Sequence, residues 1–362
     1  MTTYLLAGGG TAGHVNPLLA IADRLRERDP AATVLVLGTA EGLESRLVPA
    51  RGYELLVVPR LPLPRRPSLA ALRFPARYRA AVRLVEGHLR DRAVDVVVGV
   101  GGYAAAPAYS AAHRVGVPIV VHEANVRPGF ANRLGARWAA AVGVAFRGTP
   151  LRGAEFVGMP LRPEIERLAR PERRLLARPE ALDFFGLAPD RPVLLATGGS
   201  SGAQRINDAV AAAAGEIAAA GWQILHLTGE YREEIAADIP GYRPLRYADR
   251  MDLALAAADL ALSRAGTSTV AELAALGIPA VFVPYPVGNG EQRLNAAESV
   301  AAGGALLVED AALTPDWVRA TLLPLLGDRE RLAAMAERMA STGVRDATDR
   351  MVALIERAAG RA

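Results

Sequence analysis

One stretch in the second half of the chain restricts the possible folds more than any other. Residues Gly198–Asn207 read GGSSGAQRIN, and they lie between an apolar run, Pro192–Ala196, and a helical run, Ile206–Ala220. A buried strand that leads through glycines into a helix N-terminus is typical of phosphate-binding loops, because backbone N–H groups and the helix dipole both attract negative charge. Ser200 and Ser201 add hydroxyl donors. The alternative interpretation is a tight turn that holds no ligand.

A second glycine-rich loop follows the first predicted strand, Tyr4–Ala7. The run Gly8–Gly13 matches the dinucleotide pattern G-x-G-x-x-G. A dinucleotide site also needs an acidic residue at the end of the second strand. The second predicted strand, Thr33–Leu37, ends in glycine and threonine, whereas Glu41 and Glu44 come later, inside a predicted helix. The pattern therefore disfavours NAD or FAD, and we predict no cofactor.

His14 follows this loop and opens a helix that is predicted to extend to about Arg28. A neutral imidazole beside a phosphate-type loop can take a proton near pH 7, which is the work of a general base. The alternative is a histidine that caps the helix or packs on the loop.

Strands and helices alternate through both halves, which predicts parallel sheets made of βαβ units. The further strands are predicted at Tyr53–Pro59, Asp95–Val100, Pro118–Glu123, Ala140–Phe146, Gln223–Leu227, Pro244–Tyr247, Leu260–Ser263, Ala280–Pro284 and Ala305–Val308. At 362 residues the chain is long for one core. We therefore predict an α/β fold with two Rossmann-like domains that face each other across a cleft.

The domain boundary is predicted at Phe156–Pro163, where two prolines and a glycine follow a short strand. Arginine-rich, poorly periodic sequence then extends to about Arg178 and is interpreted as a linker. The predicted domains are residues 1–161 and 162–343. A last helix, within residues 344–362, is expected to pack back on the first domain.

Composition excludes several classes of function. The chain has no cysteine, so disulfides and thiolate chemistry are absent. We recognise neither a signal peptide nor an apolar run long enough to span a bilayer. The net charge is +4, and all of the 42 basic residues are arginine. Arginine suits phosphate and anionic head groups, although uniform replacement of lysine explains the bias equally well.

The segment Arg60–Arg83 interleaves arginine with apolar residues, and prolines interrupt its first half. This pattern suits an anionic membrane surface, and a solvated helix face is the alternative. A nucleic-acid patch is disfavoured because no nucleic-acid module accompanies it. The predicted membrane patch consists of Arg65, Arg66, Leu69, Leu72, Arg73 and Phe74.

Other candidate site residues follow the predicted strands, where ligands bind in parallel sheets. Glu272, in the first turns of a helix, has a carboxylate that suits the two hydroxyl groups of a ribose. Bracing of the loops is the alternative for each of these residues. The strand-end segments are Gly101–Tyr103, His122–Asn125, Ser263–Glu272 and Tyr285–Asn295.

Together these segments resemble the motifs of the MurG family, and they occur in order over nearly the whole chain. The segments that carry the resemblance are Gly9–His14, Gly101–Tyr103, His122–Asn125, Gly199–Ala203, Arg264–Glu272, Glu291, Gln292 and Asn295. MurG proteins are inverting GT-B glycosyltransferases that move N-acetylglucosamine from UDP-N-acetylglucosamine to lipid I, giving lipid II in peptidoglycan synthesis. The resemblance implies a peripheral protein on the cytoplasmic face of the cell membrane, with an anionic inner-membrane surface as partner.

The resemblance also implies roles for individual residues. His14 would be the base for the acceptor 4-hydroxyl, Glu272 would hold the ribose, and Gln292 and Asn295 would meet the sugar. The residues implied to bind the donor substrate, UDP-N-acetylglucosamine, are Thr11, Gly13, Arg162, Ser200, Ser201, Gly202, Arg264, Gly266, Thr267, Glu272, Glu291, Gln292 and Asn295. The acceptor set is Tyr103, His122, Glu123 and Asn125. No metal is predicted, because no Asp-x-Asp motif is placed to hold one.

The chain departs from the common family pattern at Ala124, Ser201, Thr267, Ser268 and Glu291. These departures leave open a related GT-B transferase with another lipid-linked or natural-product acceptor. A UDP-sugar 2-epimerase and a non-catalytic UDP-sugar-binding protein are further alternatives. The basic segment argues against the epimerase, which has no use for a membrane. The oligomeric state is left open.

Overall fold

The structure is a computed structural model that describes residues 1–64, 66, 68–230, 239–287 and 290–360. Its internal contacts divide the chain into two compact units. The first unit is made of Met1–Arg162 with Asp346–Ala362, and the second is Pro163–Arg345. The last stretch of the chain is thus part of the first unit.

The first unit contains a seven-stranded parallel sheet in the order β3-β2-β1-β4-β5-β6-β7. Its strands are β1 (Thr3–Ala7), β2 (Thr33–Gly38), β3 (Glu54–Val57), β4 (Val96–Gly99), β5 (Ile119–Glu123), β6 (Ala141–Val144) and β7 (Ala154–Phe156). Its helices are α1 (Ala12–Arg28), α2 (Glu44–Ala50), α3 (Leu69–Asp91), α4 (Ala105–Val115), α5 (Phe130–Gly135) and, from the chain's last stretch, α15 (Ala347–Ala358).

Alternation along β1 explains why this sheet is covered on both faces. Leu5 and Ala7 belong to an apolar cluster with α3 and α4, whereas Tyr4 and Leu6 belong to a cluster with α1 and α15. Successive strand residues point to opposite faces of the sheet, so a strand in which every residue is apolar must be buried on both faces. The fully apolar run Tyr4–Ala7 therefore specifies a central strand.

The second unit contains a six-stranded parallel sheet in the order β10-β9-β8-β11-β12-β13. Its strands are β8 (Val193–Thr197), β9 (Gln223–Leu227), β10 (Tyr242–Leu245), β11 (Leu260–Ser263), β12 (Ala280–Phe282) and β13 (Ala305–Leu307). Its helices are α6 (Pro163–Leu168), α7 (Pro171–Phe185), α8 (Gln204–Ala219), α9 (Met251–Ala257), α10 (Thr267–Leu276), α11 (Glu291–Ala301), α12 (Pro315–Trp317), α13 (Leu323–Gly327) and α14 (Arg329–Ser341). A 3₁₀ turn spans Asp310–Ala312, and a π-helical stretch, Val318–Leu322, joins α12 to α13.

The predicted α/β fold with two parallel sheets is confirmed, but the linker prediction after Pro163 is wrong, because α6 and α7 occupy it. Arg178 donates to the Ala257 carbonyl at 2.7 Å and to Asp259 at 2.8 Å. Arg174, one turn earlier, donates to the carbonyls of Leu255 and Ala258. Helix α7 is thus anchored by cations at the C-terminal end of α9, a favourable position for positive charge. Because these arginine contacts help to hold α7 in place, the apolar residues of its sequence show only a weak helical period.

Two smaller predictions also need correction. Glu41 lies in a turn rather than in a helix, since α2 begins at Glu44. Strand β10 begins at Tyr242, two residues before the predicted start. Both differences fall at element boundaries, where sequence signals are weakest.

Candidate active site

The first candidate site lies at the carboxyl edge of the first unit's sheet, where the loops after β1, β4 and β5 are neighbours. His14 stands in the first turn of α1, after the glycine-rich loop. A Cβ atom added to Gly101, in the loop after β4, would lie 3.1 Å from His14 Nε2. The imidazole is therefore packed against the loop after β4, and Gly101 leaves the space for it.

The contacts of His14 favour a neutral ring at pH 7. Its Nδ1 lies 3.3 Å from Thr11 Oγ1. Desolvation lowers the pKa of His14, whereas the negative charge of Glu44 and a hydrogen bond to the Gly9 backbone raise it; the net direction is downward. Since a general base must be unprotonated, this environment suits the predicted role.

Glu123 organises the loop after β5. Its carboxylate accepts hydrogen bonds from Asn125 N at 2.9 Å, Gly129 N at 3.0 Å and Asn132 Nδ2 at 2.9 Å. Burial raises the pKa of Glu123, and these hydrogen bonds oppose the shift. Tyr109 in turn donates to Asn132 Oδ1 at 2.7 Å. Glu123 is buried and braces the loop that carries the half-buried Asn125.

His122 is fully buried, so it does not lie on the surface of this edge. Its Nε2 lies 3.0 Å from the Gly158 carbonyl oxygen. Burial lowers the pKa of His122 to about 4, so the ring is neutral at pH 7. Of the two roles considered for His122, this geometry favours bracing, here between β5 and the loop after β7.

Tyr103 is partly exposed in the loop before α4. The guanidinium carbon of Arg60 lies 4.9 Å from the centre of its ring, within the range of a cation–π interaction. A cation and a phenol are thus presented together near the glycine-rich loops. The other first-unit candidates, Thr11, Gly13 and Arg162, lie at exposed or partly exposed positions.

The second candidate site lies at the carboxyl edge of the second unit's sheet, where β8 leads through Gly198–Gly202 to α8. Ser200 and Ser201 are exposed in this loop. Gly202 has a φ of +71°, and a Cβ atom there would lie 2.0 Å from the Thr228 carbonyl oxygen. The residue before α8 is Ala203, whose side chain cannot cap the first-turn N–H groups. The loop therefore packs closely against the loop after β9 and leaves the start of α8 without a side-chain cap.

Three other donor candidates brace the neighbouring loops. Arg264 donates to the carbonyls of Val283 at 3.1 Å and Pro284 at 3.2 Å, and it pairs with Asp310 at 2.6 Å. Asn295 donates to Thr267 Oγ1 at 3.2 Å, and both residues are buried. Arg264 thus joins the segments that follow β11, β12 and β13, and Asn295 joins α11 to α10.

The remaining donor candidates lie at or near the starts of α10 and α11. Glu272 is on α10 and is 7% exposed. Gly266 precedes α10, and Glu291 is the first residue of α11. Gln292 accepts from the Tyr285 backbone N–H at 2.9 Å, so its amide oxygen holds the loop after β12.

The predicted membrane patch lies at the start of α3. Leu69 and Leu72 are 62% and 79% exposed, and Arg66 and Arg73 are exposed beside them. Phe74 is partly buried and stacks on Tyr78 with ring centres 5.8 Å apart. Arg65 lies outside the described residues. None of the helices searched, which are those of the described residues, is long and apolar enough to cross a membrane. The same part of the chain contains no cluster of metal-ligating side chains.

Sequence reasoning missed one residue of the first site, Glu44. It was placed inside a predicted helix, and α2 does begin there, but its side chain is 1% exposed and accepts from Gly10 N at 2.8 Å. Gly9, Gly38 and Gly42 lie close to its carboxylate in space and make room for it, but Gly9 is far from Glu44 along the chain, so no local signal in the sequence marked this contact.

Comparison with known proteins defines the class. The glycosyltransferase family 28 N-terminal domain matches residues 4–144, and the family 28 C-terminal domain matches residues 193–351. The chain is thus a family 28 glycosyltransferase with a GT-B fold.

Individual relatives narrow the family. A protein of Leifsonia xyli is 66% identical over 98% of each chain, and one of Streptomyces coelicolor is 51% identical over 97% of this chain and 96% of its own. Both are named UDP-N-acetylglucosamine–N-acetylmuramyl-(pentapeptide) pyrophosphoryl-undecaprenol N-acetylglucosamine transferase. The crystal structure of Acinetobacter baumannii MurG matches with a TM-score of 0.80 and 28% identity, over 99% of this chain and 100% of that one. The chain belongs to the MurG family.

More distant structures share the fold alone. The calicheamicin glycosyltransferase CalG4 matches with a TM-score of 0.68 and 20% identity, over 100% of this chain and 99% of that one. The Neisseria meningitidis UDP-GlcNAc 2-epimerase has a TM-score of 0.69 at 14% identity and is covered completely. A glycosyltransferase and an epimerase therefore share this two-sheet architecture, and the fold alone does not decide between the two activities.

Proposed function

We propose that this protein transfers N-acetylglucosamine from UDP-N-acetylglucosamine to the 4-hydroxyl of the muramoyl sugar of lipid I, with inversion, and so makes lipid II for peptidoglycan. The observation that carries this proposal is the 66% identity, over 98% of the chain, to a transferase named for this donor and acceptor. The alternatives with another acceptor or with epimerase activity have no comparable relative among those reported above.

In the proposed reaction His14 removes the proton of the attacking hydroxyl as the new glycosidic bond forms. Its lowered pKa supports this role, because the ring is then free to accept a proton at neutral pH. Inversion follows from direct attack on the face of the anomeric carbon opposite the leaving UDP. The base contributes about 10²- to 10⁴-fold in rate.

The leaving diphosphate is proposed to bind at the loop of Ser200, Ser201 and Gly202. The exposed hydroxyls and the uncapped start of α8 support this assignment. Such donors stabilise the charge that develops on the leaving group as the bond breaks.

The second unit is proposed to bind the rest of the donor. Glu272 accepts from the ribose hydroxyls, and Glu291 and Gln292 meet the N-acetylglucosamine. Arg264, Thr267 and Asn295 hold the loops that present these groups, as their internal hydrogen bonds suggest. The first unit is proposed to bind the acceptor through Tyr103 and Asn125.

The patch on α3 is proposed to hold the protein on the anionic inner face of the cell membrane, where lipid I is presented. Two exposed leucines beside exposed arginines support this, because apolar side chains can enter the interface while the guanidinium groups meet anionic head groups.

Transfer from radiolabelled UDP-N-acetylglucosamine to a short-chain lipid I analogue tests the function. UDP-glucose and UDP-N-acetylgalactosamine serve as competing donors, and His14→Ala is the matched inactive control. We expect a labelled disaccharide made selectively from the N-acetylglucosamine donor. Binding of UDP without transfer would contradict the proposed acceptor.

A further inference from the structure

Glu44 occupies a buried site built for a carboxylate. Its Oε1 accepts from the Thr39 backbone N–H at 2.9 Å and from the Thr39 hydroxyl at 2.8 Å. Its Oε2 accepts from the Gly10 N–H at 2.8 Å. Each carboxylate oxygen therefore has a donor, and the group ties the loop after β2 to the loop after β1.

Three glycines surround this carboxylate closely. A Cβ atom would lie 2.2 Å from Glu44 Oε1 at Gly9, 2.1 Å from Oε2 at Gly42, and 2.5 Å from Cγ at Gly38. Contacts this short are not tolerated, so a side chain at any of these positions would displace the carboxylate. The three glycines thus leave the space that the Glu44 carboxylate occupies.

The Gly9–Gly10 peptide group connects Glu44 to His14. Its N–H end belongs to Gly10 and donates to Glu44. Its carbonyl end belongs to Gly9, and the Gly9 backbone bonds to the His14 ring in a way that raises the pKa of His14. An acceptor of the ring N–H has that effect, which identifies the carbonyl oxygen as the partner.

We propose that Glu44 is a positioning residue for His14, holding the Gly9–Gly10 peptide so that its carbonyl orients the imidazole. The inference rests on the proposed role of His14 as base. The carboxylate also places a fixed negative charge near the ring, which stabilises the imidazolium that forms when His14 takes the proton from the acceptor hydroxyl. Glu44 itself touches neither substrate.

Other charged and titratable groups lie near His14 and Glu44. His122 on β5 interacts electrostatically with His14, but its pKa of about 4 keeps it neutral at pH 7. Arg60 is exposed and interacts with both Glu41 and Glu44. Of the two glutamates, Glu41 is exposed and Glu44 is buried, so the pair offers a matched comparison.

The first experiment is an NMR titration of the histidine rings in the full chain without substrate, with the His14 signal assigned by its loss in His14→Ala. In Glu44→Gln the negative charge is gone, so we expect a lower pKa for His14 than in the native protein. In Glu41→Gln, which removes the same charge from an exposed position, we expect a smaller change. An unchanged His14 pKa in Glu44→Gln would overturn the proposal.

The second experiment measures the pH dependence of kcat and the KM for UDP-N-acetylglucosamine. Glu44→Gln is expected to lower kcat by about 10- to 100-fold, as for a displaced catalytic group. The acidic limb of the pH profile of kcat should move to lower pH in this variant, and the KM for UDP-N-acetylglucosamine should stay near the native value. Thr39→Val removes one hydrogen bond but keeps the charge, so its acid limb should not move. Equal shifts in both variants would indicate general loosening and refute the assignment.

Glu44→Asp covers the case in which Glu44→Gln does not fold. It keeps the charge but withdraws the carboxylate from the Gly10 N–H, so kcat should fall while donor KM is kept. A native kcat in Glu44→Asp would contradict the proposal. Absence of any transfer in the native protein would refute the proposed function instead, and the substrate-free titration would still test Glu44.

Discussion

At the scale of single residues, the base is the sharpest prediction. Because the pKa of His14 lies below its ordinary value of 6.5, kcat should rise with pH to a midpoint below 6.5 and then level off. His14→Ala should lower kcat by about 10²- to 10⁴-fold and leave the affinity for UDP unchanged. Steady-state kinetics and calorimetry with UDP measure the two quantities.

His113→Ala is the matched control for this substitution. His113 is an exposed histidine that stacks on Trp138 with ring centres 4.4 Å apart, and it lies outside the proposed site. Its loss should leave kcat near the native value, because its ring packs on Trp138 and takes no part in the proposed reaction. An unaltered rate in His14→Ala would remove His14 as the base.

The ribose assignment makes a different prediction. Glu272→Ala should weaken UDP binding by about 10- to 100-fold, the equivalent of losing hydrogen bonds to a charged group. Isothermal titration calorimetry with UDP measures this, and the exposed Glu337→Ala on α14 is the control. A change confined to kcat would show that Glu272 does not hold the ribose.

Individual site residues were harder to predict from the sequence than the fold was. The glycine loops and His14 were found because they follow apolar strands directly. Glu44 was dismissed because a dinucleotide site would need its carboxylate earlier in the chain, at the end of β2. Its actual partners, Thr39 and Gly10, are fixed by the packing of two loops against each other, and no local pattern encodes that packing.

At the scale of secondary-structure elements, α3 carries the membrane prediction. The double variant Arg66→Gln, Arg73→Gln should weaken binding to vesicles that contain anionic lipid by roughly 30-fold, at about 1 kcal/mol for each charge. Co-sedimentation with vesicles measures this. The control, Arg329→Gln with Arg331→Gln, removes the same charge from exposed positions on α14. Equal effects of the two double variants would argue against a patch on α3.

Helix α15 carries a stability prediction. Ile355 is fully buried, in one apolar cluster with Val15 and Leu18 of α1. Ile355→Ala should lower the free energy of unfolding of the first unit by about 2–5 kcal/mol, because it leaves a cavity. Urea unfolding followed by the fluorescence of Trp138 reports this, if Trp222 and Trp317 of the second unit are replaced by phenylalanine in all variants.

Arg350→Ala, on the same helix, is the control. It removes an exposed ion pair with Asp346 at 2.9 Å and should change stability by about 0.5 kcal/mol or less. A similar small effect of Ile355→Ala would mean that α15 does not close the core of the first unit.

Most of these elements could be predicted from sequence, because apolar runs of four to five residues between helical segments identify buried parallel strands. Helix α7 could not be predicted in this way. Arg174 and Arg178 bond to the end of α9, about 80 residues later in the chain, and a pattern based on apolar period does not register that contact.

At the scale of the whole molecule, the two sheets are proposed to divide the substrates. Saturating UDP should slow amide hydrogen exchange around Gly198–Gly202 and Arg264–Glu272 and leave Gly9–His14 unchanged. Hydrogen-exchange mass spectrometry with peptide resolution measures this. Glu272→Ala at the same UDP concentration is the control, and its protection should be weaker throughout. Equal protection of Gly9–His14 would contradict the proposal that the second unit binds UDP.

The return of α15 to the first unit has a consequence for synthesis in the cell. The strands of the first unit leave the ribosome early, but the apolar cluster that includes Met351, Val352 and Ile355 lacks its last helix until the second unit has been translated. At about 5–20 residues per second, translation of the intervening Pro163–Arg345 takes roughly 10 to 40 s. During that interval α1 covers its part of the sheet face, but the part that α15 later covers stays exposed, and exposed apolar surface of this kind makes an incomplete chain prone to aggregate.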